Sequence, residues 1–244
     1  MAINKDSNLY TIVFAFILVA IVGGVLAFVS QTLKPLQQEN LKNEKKQNIL
    51  NSIPSLKSIE RKDAGEEFGK YVKKRIILDH EGNQIPETER SADDQIDPKD
   101  ELDAFNIDLL KQFRDKDLKD EEKRYPLFIC EVEDKEYYVI PVMGKGLWDA
   151  VWGFISVKDD KKTIAGAIFD HKSETPGLGA EINKDPFEDK FKDLLFGEIK
   201  VVKPGNIKDK LSEVNGISGG TFTGVGVEEM INRAIPVYKK YFNK

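Results

Sequence analysis

Twenty consecutive residues without a charge, Tyr10 to Val29, constrain this chain more than any other feature. Wound as a helix at roughly 1.5 Å per residue, they span about 30 Å, the thickness of a bilayer's hydrocarbon core. A cleaved signal peptide is the competing reading. The run is longer than a typical signal core, and Ala27-Phe28-Val29 is a poor small-residue cleavage site. Residues 1–30 are therefore expected to form an uncleaved anchor that meets the membrane through 10–29. Charge gives it no orientation, because Lys5 is offset by Asp6 and Lys34 stands on the other side. The run holds no Asp, Glu, Lys, Arg or His, the side chains that mark an ion pathway, so it offers no ion path of its own.

Residues 31–60 read as a stalk, with a polar helix from Lys34 to about Lys46 and a junction from Leu50 to Ile59. The remaining 61–244 are long enough for one domain. Its early part, 79–124, is strongly charged, with Asp93, Asp94, Asp97, Asp100, Glu101 and Asp103 close together. The spacing of a helix–loop–helix calcium site, with its central Gly and terminal Glu, is missing, so a solvated face is expected. Leu102, Phe105, Leu109 and Phe113 recur at helical spacing and predict one amphipathic helix there.

After Tyr125 the pattern changes to strands. Phe128 to Val132 and Tyr137 to Val142 flank a short charged turn, which signals a hairpin. Trp152 to Val157 and Thr163 to Phe169 flank Lys158-Asp159-Asp160-Lys161-Lys162, a second one. Asp185-Pro186 predicts a capped helix carrying Phe187, Phe191 and Leu194 and ending at Gly197, and Glu198 to Val202 a further strand. Hairpins and separate helices without βαβ alternation make an α+β domain.

Composition removes several classes of function. A formal net charge of -5 gives no electrostatic case for nucleic acid. The lone Cys130 excludes an internal disulfide and an Fe–S cluster held by this chain's cysteines alone. His80, His171 and Cys130 show no zinc-ligand spacing. Redox chemistry would have to come from an organic cofactor.

Three short stretches carry chemistry. Ser218-Gly219-Gly220-Thr221-Phe222-Thr223 sets two glycines among three hydroxyls, just ahead of Val227, Met230, Ile231, Ala234, Val237 and Tyr238 at helical spacing. A loop thus delivers hydroxyls to a helix N-terminus, whose unpaired N–H groups suit a phosphate. A plain Ser/Thr cap is the bland reading. Gly216-Ile217-Ser218-Gly219-Gly220 also fits the nucleophile elbow of serine hydrolases, but no histidine follows Ser218, and Lys208 to Asn215 looks too charged for the strand an elbow needs. The second stretch, Gly144-Lys145-Gly146-Leu147-Trp148-Asp149, is not a dinucleotide fingerprint, lacking a third glycine ahead of a helix; its indole could pack on a flat ring. The third, His171 to Ile182, contains Glu174-Thr175-Pro176-Gly177-Leu178-Gly179, whose core is turn chemistry. His171 reads as a solvent-facing residue at a strand end.

Together, in this order over roughly residues 140–230, the stretches resemble the flavinylated subunits of Na+-translocating NADH:quinone reductases and the related Rnf complexes. Leu147-Trp148 favours the first, in the family of the reductase's C subunit, over its Rnf counterpart. Asn215 stands where that family's motif has Asp, and Gly220 where it has Ala. The resemblance implies an FMN-binding domain over 61–244, with FMN joined to Thr221 by a phosphoester that a flavin transferase makes. It also implies a flavin lined by Leu147, Trp148, Glu174, Thr175, Gly177, Leu178, Ser218, Gly219 and Gly220, with Lys203 near its polar edge. Electrons would pass toward the FMN of a membrane partner, with the domain on the periplasmic face of a bacterial inner membrane. A membrane-anchored flavin module without turnover is the other class left open.

Overall fold

The computed structural model describes residues 8–244; Lys5 and Asp6, the charges ahead of the apolar run, lie outside the described residues. Helix α1, Asn8–Asn51, contains the apolar run, where an 18-residue window reaches a mean hydropathy of 3.1. Among the described residues it is the one helix long and apolar enough to cross a membrane. It continues through Pro35, and Thr32 Oγ1 donates to the Phe28 carbonyl one turn before it (2.9 Å). The chain divides into two compact units, one ending at Glu44 and the other Lys45–Lys244. The expected stalk over 31–60 is thus shared between them, and its end, with Ile49, Leu50 and Ile53 fully buried, belongs to the second unit's core.

In that unit α2 (Ala64–Tyr71) runs straight into β1 (Val72–Leu78). The two-residue β2 (Arg90–Ser91), α3 (Leu109–Arg114), β3 (Tyr125–Val132), β4 (Lys135–Lys145), β5 (Ala150–Lys158) and β6 (Ile164–His171) follow. These six strands form one sheet in the order β2-β1-β3-β4-β5-β6, antiparallel throughout. Then come α4 (Asp185–Glu188), β7 (Lys200–Val202), β8 (Glu213–Asn215) and the 22-residue α5 (Thr221–Phe242).

Both hairpins form, and local chemistry explains each turn. Glu133 and Asp134 take positive φ of 51° and 59°, the conformation a two-residue hairpin favours. Between β5 and β6, the Asp160 carboxylate accepts the Lys162 and Thr163 N–H groups at 2.8 Å each and folds the loop on itself.

Alternation along the strands puts a core on each face of the sheet. Leu127, Ile140, Val142, Val151 and Ile155 pack with Val227, Met230, Ile231 and Tyr238 of α5. Phe128, Val139 and Phe154, their neighbours in sequence, point the other way and meet Ile49, Leu50, Phe68 and Phe105. Cys130 is fully buried in this second core, where burial pushes its thiol pKa far up.

Four expectations change. The amphipathic helix over 102–113 is broken in two: Asp103 and Asp108 each accept a backbone N–H (of Phe105 and Lys111, 2.9 Å each) and start separate short helices. The acidic stretch is not only a solvated face, because Asp103 is buried and grips the buried Arg75 with both oxygens, at 2.9 Å to Nε and 2.8 Å to Nη2. After Asp185-Pro186 the helix stops at Glu188, followed by a single tight turn to Phe191. Asp193, at φ 65°, turns the chain out so that Leu194 can accept the Ile164 N–H (2.8 Å), and Asp185 caps nothing but pairs with Lys57 (2.8 Å). Finally, the charged stretch before Asn215 does hold a strand, β8, which pairs in parallel with β7 and buries only Val214.

Candidate functional site

The three stretches singled out from sequence come together at the start of α5. The chain turns tightly from Ile217 to Gly220 (Gly220 N–H to the Ile217 carbonyl, 2.9 Å), with Gly219 at φ +76°, and the helix begins at Thr221. No side chain caps it and its own first turn has no acid, so its N-terminal N–H groups are left without a side-chain cap. The Ser/Thr-cap reading therefore fails. Ser218, Gly219 and Thr221 are exposed.

Glu174 joins the three stretches. It is 5% exposed, and its two oxygens serve different partners. Oε1 accepts the Trp148 N–H (2.9 Å), and Oε2 accepts the Thr223 hydroxyl (2.6 Å) in the first turn of α5. Burial opposes ionisation of this carboxyl, but the Thr223 hydroxyl and the backbone N–H groups of Trp148, Leu147 and Asp149 outweigh it and hold the pKa below the ordinary glutamate value. Behind it, His171 Nδ1 accepts the Glu174 N–H (3.2 Å).

The motif glycines make room for this carboxylate and for the helix. A Cβ on Gly146 would sit 2.5 Å from Glu174 Oε1. On Gly179 it would collide with the Thr223 hydroxyl and lie 2.6 Å from Glu174 Oε2. One on Gly144 would meet Met230 at 2.7 Å, and one on Gly226 would strike the Lys145 carbonyl. The Gly-x-Gly is thus a close approach of loop to helix, not a phosphate cradle.

Large apolar side chains stay in the open around this knot: Leu147, Leu178, Phe222, Val225 and Trp148, the last 65% exposed. The Trp148 indole N–H donates to Thr175 Oγ1 (3.2 Å), and a Cβ on Gly219 would lie 2.5 Å from Leu178. Gly177, at φ +76°, forms the tip of the Thr175–Leu178 turn and donates its N–H to Glu181 (3.0 Å). Next to the indole, Asp149 pairs with Lys172 (2.9 Å) and Arg114 (2.8 Å). The Lys172 ammonium, the Ala150 N–H and Arg114 bring its pKa down to about 2. Lys203 lies in an exposed turn after β7, connected to the motif through Asn215, whose Oδ1 accepts the Gly205 N–H (2.9 Å). Among the described residues no group of acids, histidines and cysteine could hold a metal. A cleft of about 550 Å³ farther along α5, lined by Phe113, Arg124, Met143 and Arg233, contains none of the motif residues.

Residues 146–236, which include Trp148, Glu174, Thr221 and Thr223, match the model of the FMN-binding domain family. The C subunit of the Na(+)-translocating NADH-quinone reductase from Neisseria meningitidis is 27% identical over 232 residues, covering 92% of this chain and 88% of its own. The crystal structure of the same protein from Parabacteroides distasonis superposes with a TM-score of 0.72 at 33% identity, covering 87% of this chain and 98% of its own. The chain belongs to this family of reductase C subunits. NqrC of Shewanella oneidensis, at 20% identity and a TM-score of 0.64, shares the fold.

Within this FMN-binding domain, sequence reasoning missed Thr223, Phe222 and Asp149. Thr223 was visible as the third hydroxyl of the motif, two residues after Thr221 and so on another side of the helix. Phe222, 70% exposed beside Thr221, gave no signal, since a phenylalanine at a helix start reads as core.

Proposed function

We propose that this chain carries FMN covalently, through a phosphoester to the Thr221 hydroxyl, and relays electrons within a Na+-pumping NADH:quinone reductase. One observation carries the reading: Thr221 stands exposed at the first position of α5, on the same turn that a buried carboxylate ties to a loop bearing an exposed indole. A phosphate ester there would lie against the positive end of a 22-residue helix. Leu147, Trp148, Leu178 and Phe222 offer apolar surface for the ring system, with Thr175, Gly177, Ser218, Gly219 and Gly220 around them and Lys203 toward the polar edge. FMN, when bound, supplies reversible electron transfer, and the protein's part is to hold and shield it.

The resemblance implies that a separate flavin transferase makes the ester, and Thr221 then serves as an attachment point with no part in turnover. Electrons go toward the FMN-bearing membrane partner. The domain lies on the periplasmic side of the inner membrane, anchored through residues 10–29.

The test is to coexpress the full chain with a flavin transferase, denature it, and look for flavin fluorescence in the gel band beside Thr221→Ala. A bright wild type and a dark variant, both folded, are expected. A dark wild-type band would end the covalent reading, with Asn215 and Gly220 as the first suspects.

A further inference from the structure

We infer that Glu174 is a positioning residue rather than a flavin contact: with Thr223 it fixes the indole-bearing loop against the helix turn that presents Thr221. The inference rests on the carrier reading for its consequence, but not for its geometry. Glu174 is 5% exposed, with one oxygen on the Trp148 N–H and the other on the Thr223 hydroxyl. Both oxygens are engaged within the protein, and at 5% exposure they present little surface to a ligand. Its partners belong to two segments whose separation decides whether Trp148 faces whatever is attached at Thr221.

The surroundings are built for this arrangement. Gly146 and Gly179 have no room for a Cβ because the carboxylate and its hydroxyl partner occupy the space. Thr223 is 1% exposed, though Phe222 before it is open to solvent, so its hydroxyl is committed inward. The donors are neutral, an N–H and an O–H, and therefore directional, unlike a cation that can follow a drifting carboxylate. Shape and direction together fix the register of loop and helix.

The experiment uses the full chain with Thr223→Val, which keeps the volume and loses the O–H, and Thr223→Ser, which restores it; Glu174→Gln is a third variant. Two readouts are taken. In the flavin-free protein, amide hydrogen exchange at Trp148 reports the clamp directly. After coexpression with the transferase, covalent flavin per chain and quenching of its fluorescence by the indole report the consequence. Thr223→Val should speed Trp148 exchange by about tenfold or more, as expected for losing a hydrogen bond to a charged group. It should also lower flavin content or relieve the quenching, and Thr223→Ser should return both toward wild type. Unchanged exchange in Thr223→Val overturns the clamp. Faster exchange with unchanged flavin content and quenching overturns its positioning role. A wild type without covalent flavin would instead sink the carrier reading, and exchange alone would then decide the clamp.

Discussion

The charged segment between β1 and β3 and the corner at the start of α5 are each organised around a buried carboxylate, but the two are neutralised differently. Asp103 meets a guanidinium, Arg75, through two short bonds. Glu174 meets only neutral donors, the Thr223 hydroxyl and backbone N–H groups. An ion pair of the first kind cancels charge and locks a long acidic segment to the sheet wherever it sits. An arrangement of the second kind keeps a full negative charge beneath the surface and fixes angles rather than charge balance. The first ties an acidic segment to the sheet; the second ties the Trp148 loop to the first turn of α5. Glu188 adds a contrast: it is 4% exposed, with the Phe169 N–H at 2.9 Å and Lys57 no nearer than 3.7 Å. Burial pushes its pKa up to about 7, against that N–H and the lysine.

The comparison breaks most directly at Arg75. Arg75→Met strands the Asp103 carboxylate in the core and should cost about 3–5 kcal/mol in denaturant unfolding, most of it recovered in the double variant with Asp103→Leu. A loss under about 1 kcal/mol would mean that water reaches Asp103 and that the pair is not what holds the segment. Next comes Gly179→Ala, which presses on Glu174 and Thr223 together; about 1–3 kcal/mol should be lost. Gly177→Ala is the control for backbone strain, since a Cβ there meets nothing within 4 Å.

Acidity separates the two glutamates by sign. The folded pKa of Glu174 lies below its unfolded value, so its contribution is present above the ordinary glutamate range and is lost as pH falls through the folded value. Glu188 is the reverse: its folded pKa is raised, so ionisation burdens the fold increasingly as pH rises from about 4.5 to about 7. Glu188→Gln should therefore stabilise by about 2 kcal/mol at pH 8 and by little at pH 4, read from unfolding curves at the two pH values. Equal gains at both would place the effect in packing. The smallest effect is expected at Arg114→Ala, which removes an exposed partner of Asp149 and should cost less than about 1 kcal/mol, shrinking further in high salt.

How much was legible follows from where each signal lives. Both hairpins, the long α5 and the three motif stretches could be read because periodicity and turn residues are local. Strand β1 escaped notice because Lys73-Lys74-Arg75 interrupts its apolar pattern, yet Arg75 is buried by a partner 28 residues away. The helix expected over 102–113 failed because aspartates at 103 and 108 are also start signals, and capping won over spacing. At the start of α5, the stretches marked in the sequence come together, but the contacts that join them could not be read from it. Glu174, expected to line the flavin, is 5% exposed with its carboxylate turned to Trp148 and Thr223, an arrangement that depends on a hydroxyl 49 residues later. Nothing in the residue string distinguishes an acid that faces a ligand from one that faces a neighbouring N–H.

The fate of β6, an outer strand of the sheet, has a further consequence. Glu188 takes its Phe169 N–H, and the chain at Leu194 and Phe196 takes up hydrogen bonds at its start and in the hairpin loop before it. At the opposite border β2 is only two residues long. Neither border offers a long run of free backbone groups for another chain to extend. Backbone pairing is thus blunted at both borders, and what the domain turns outward is side-chain relief, Trp148 and Phe222 among it.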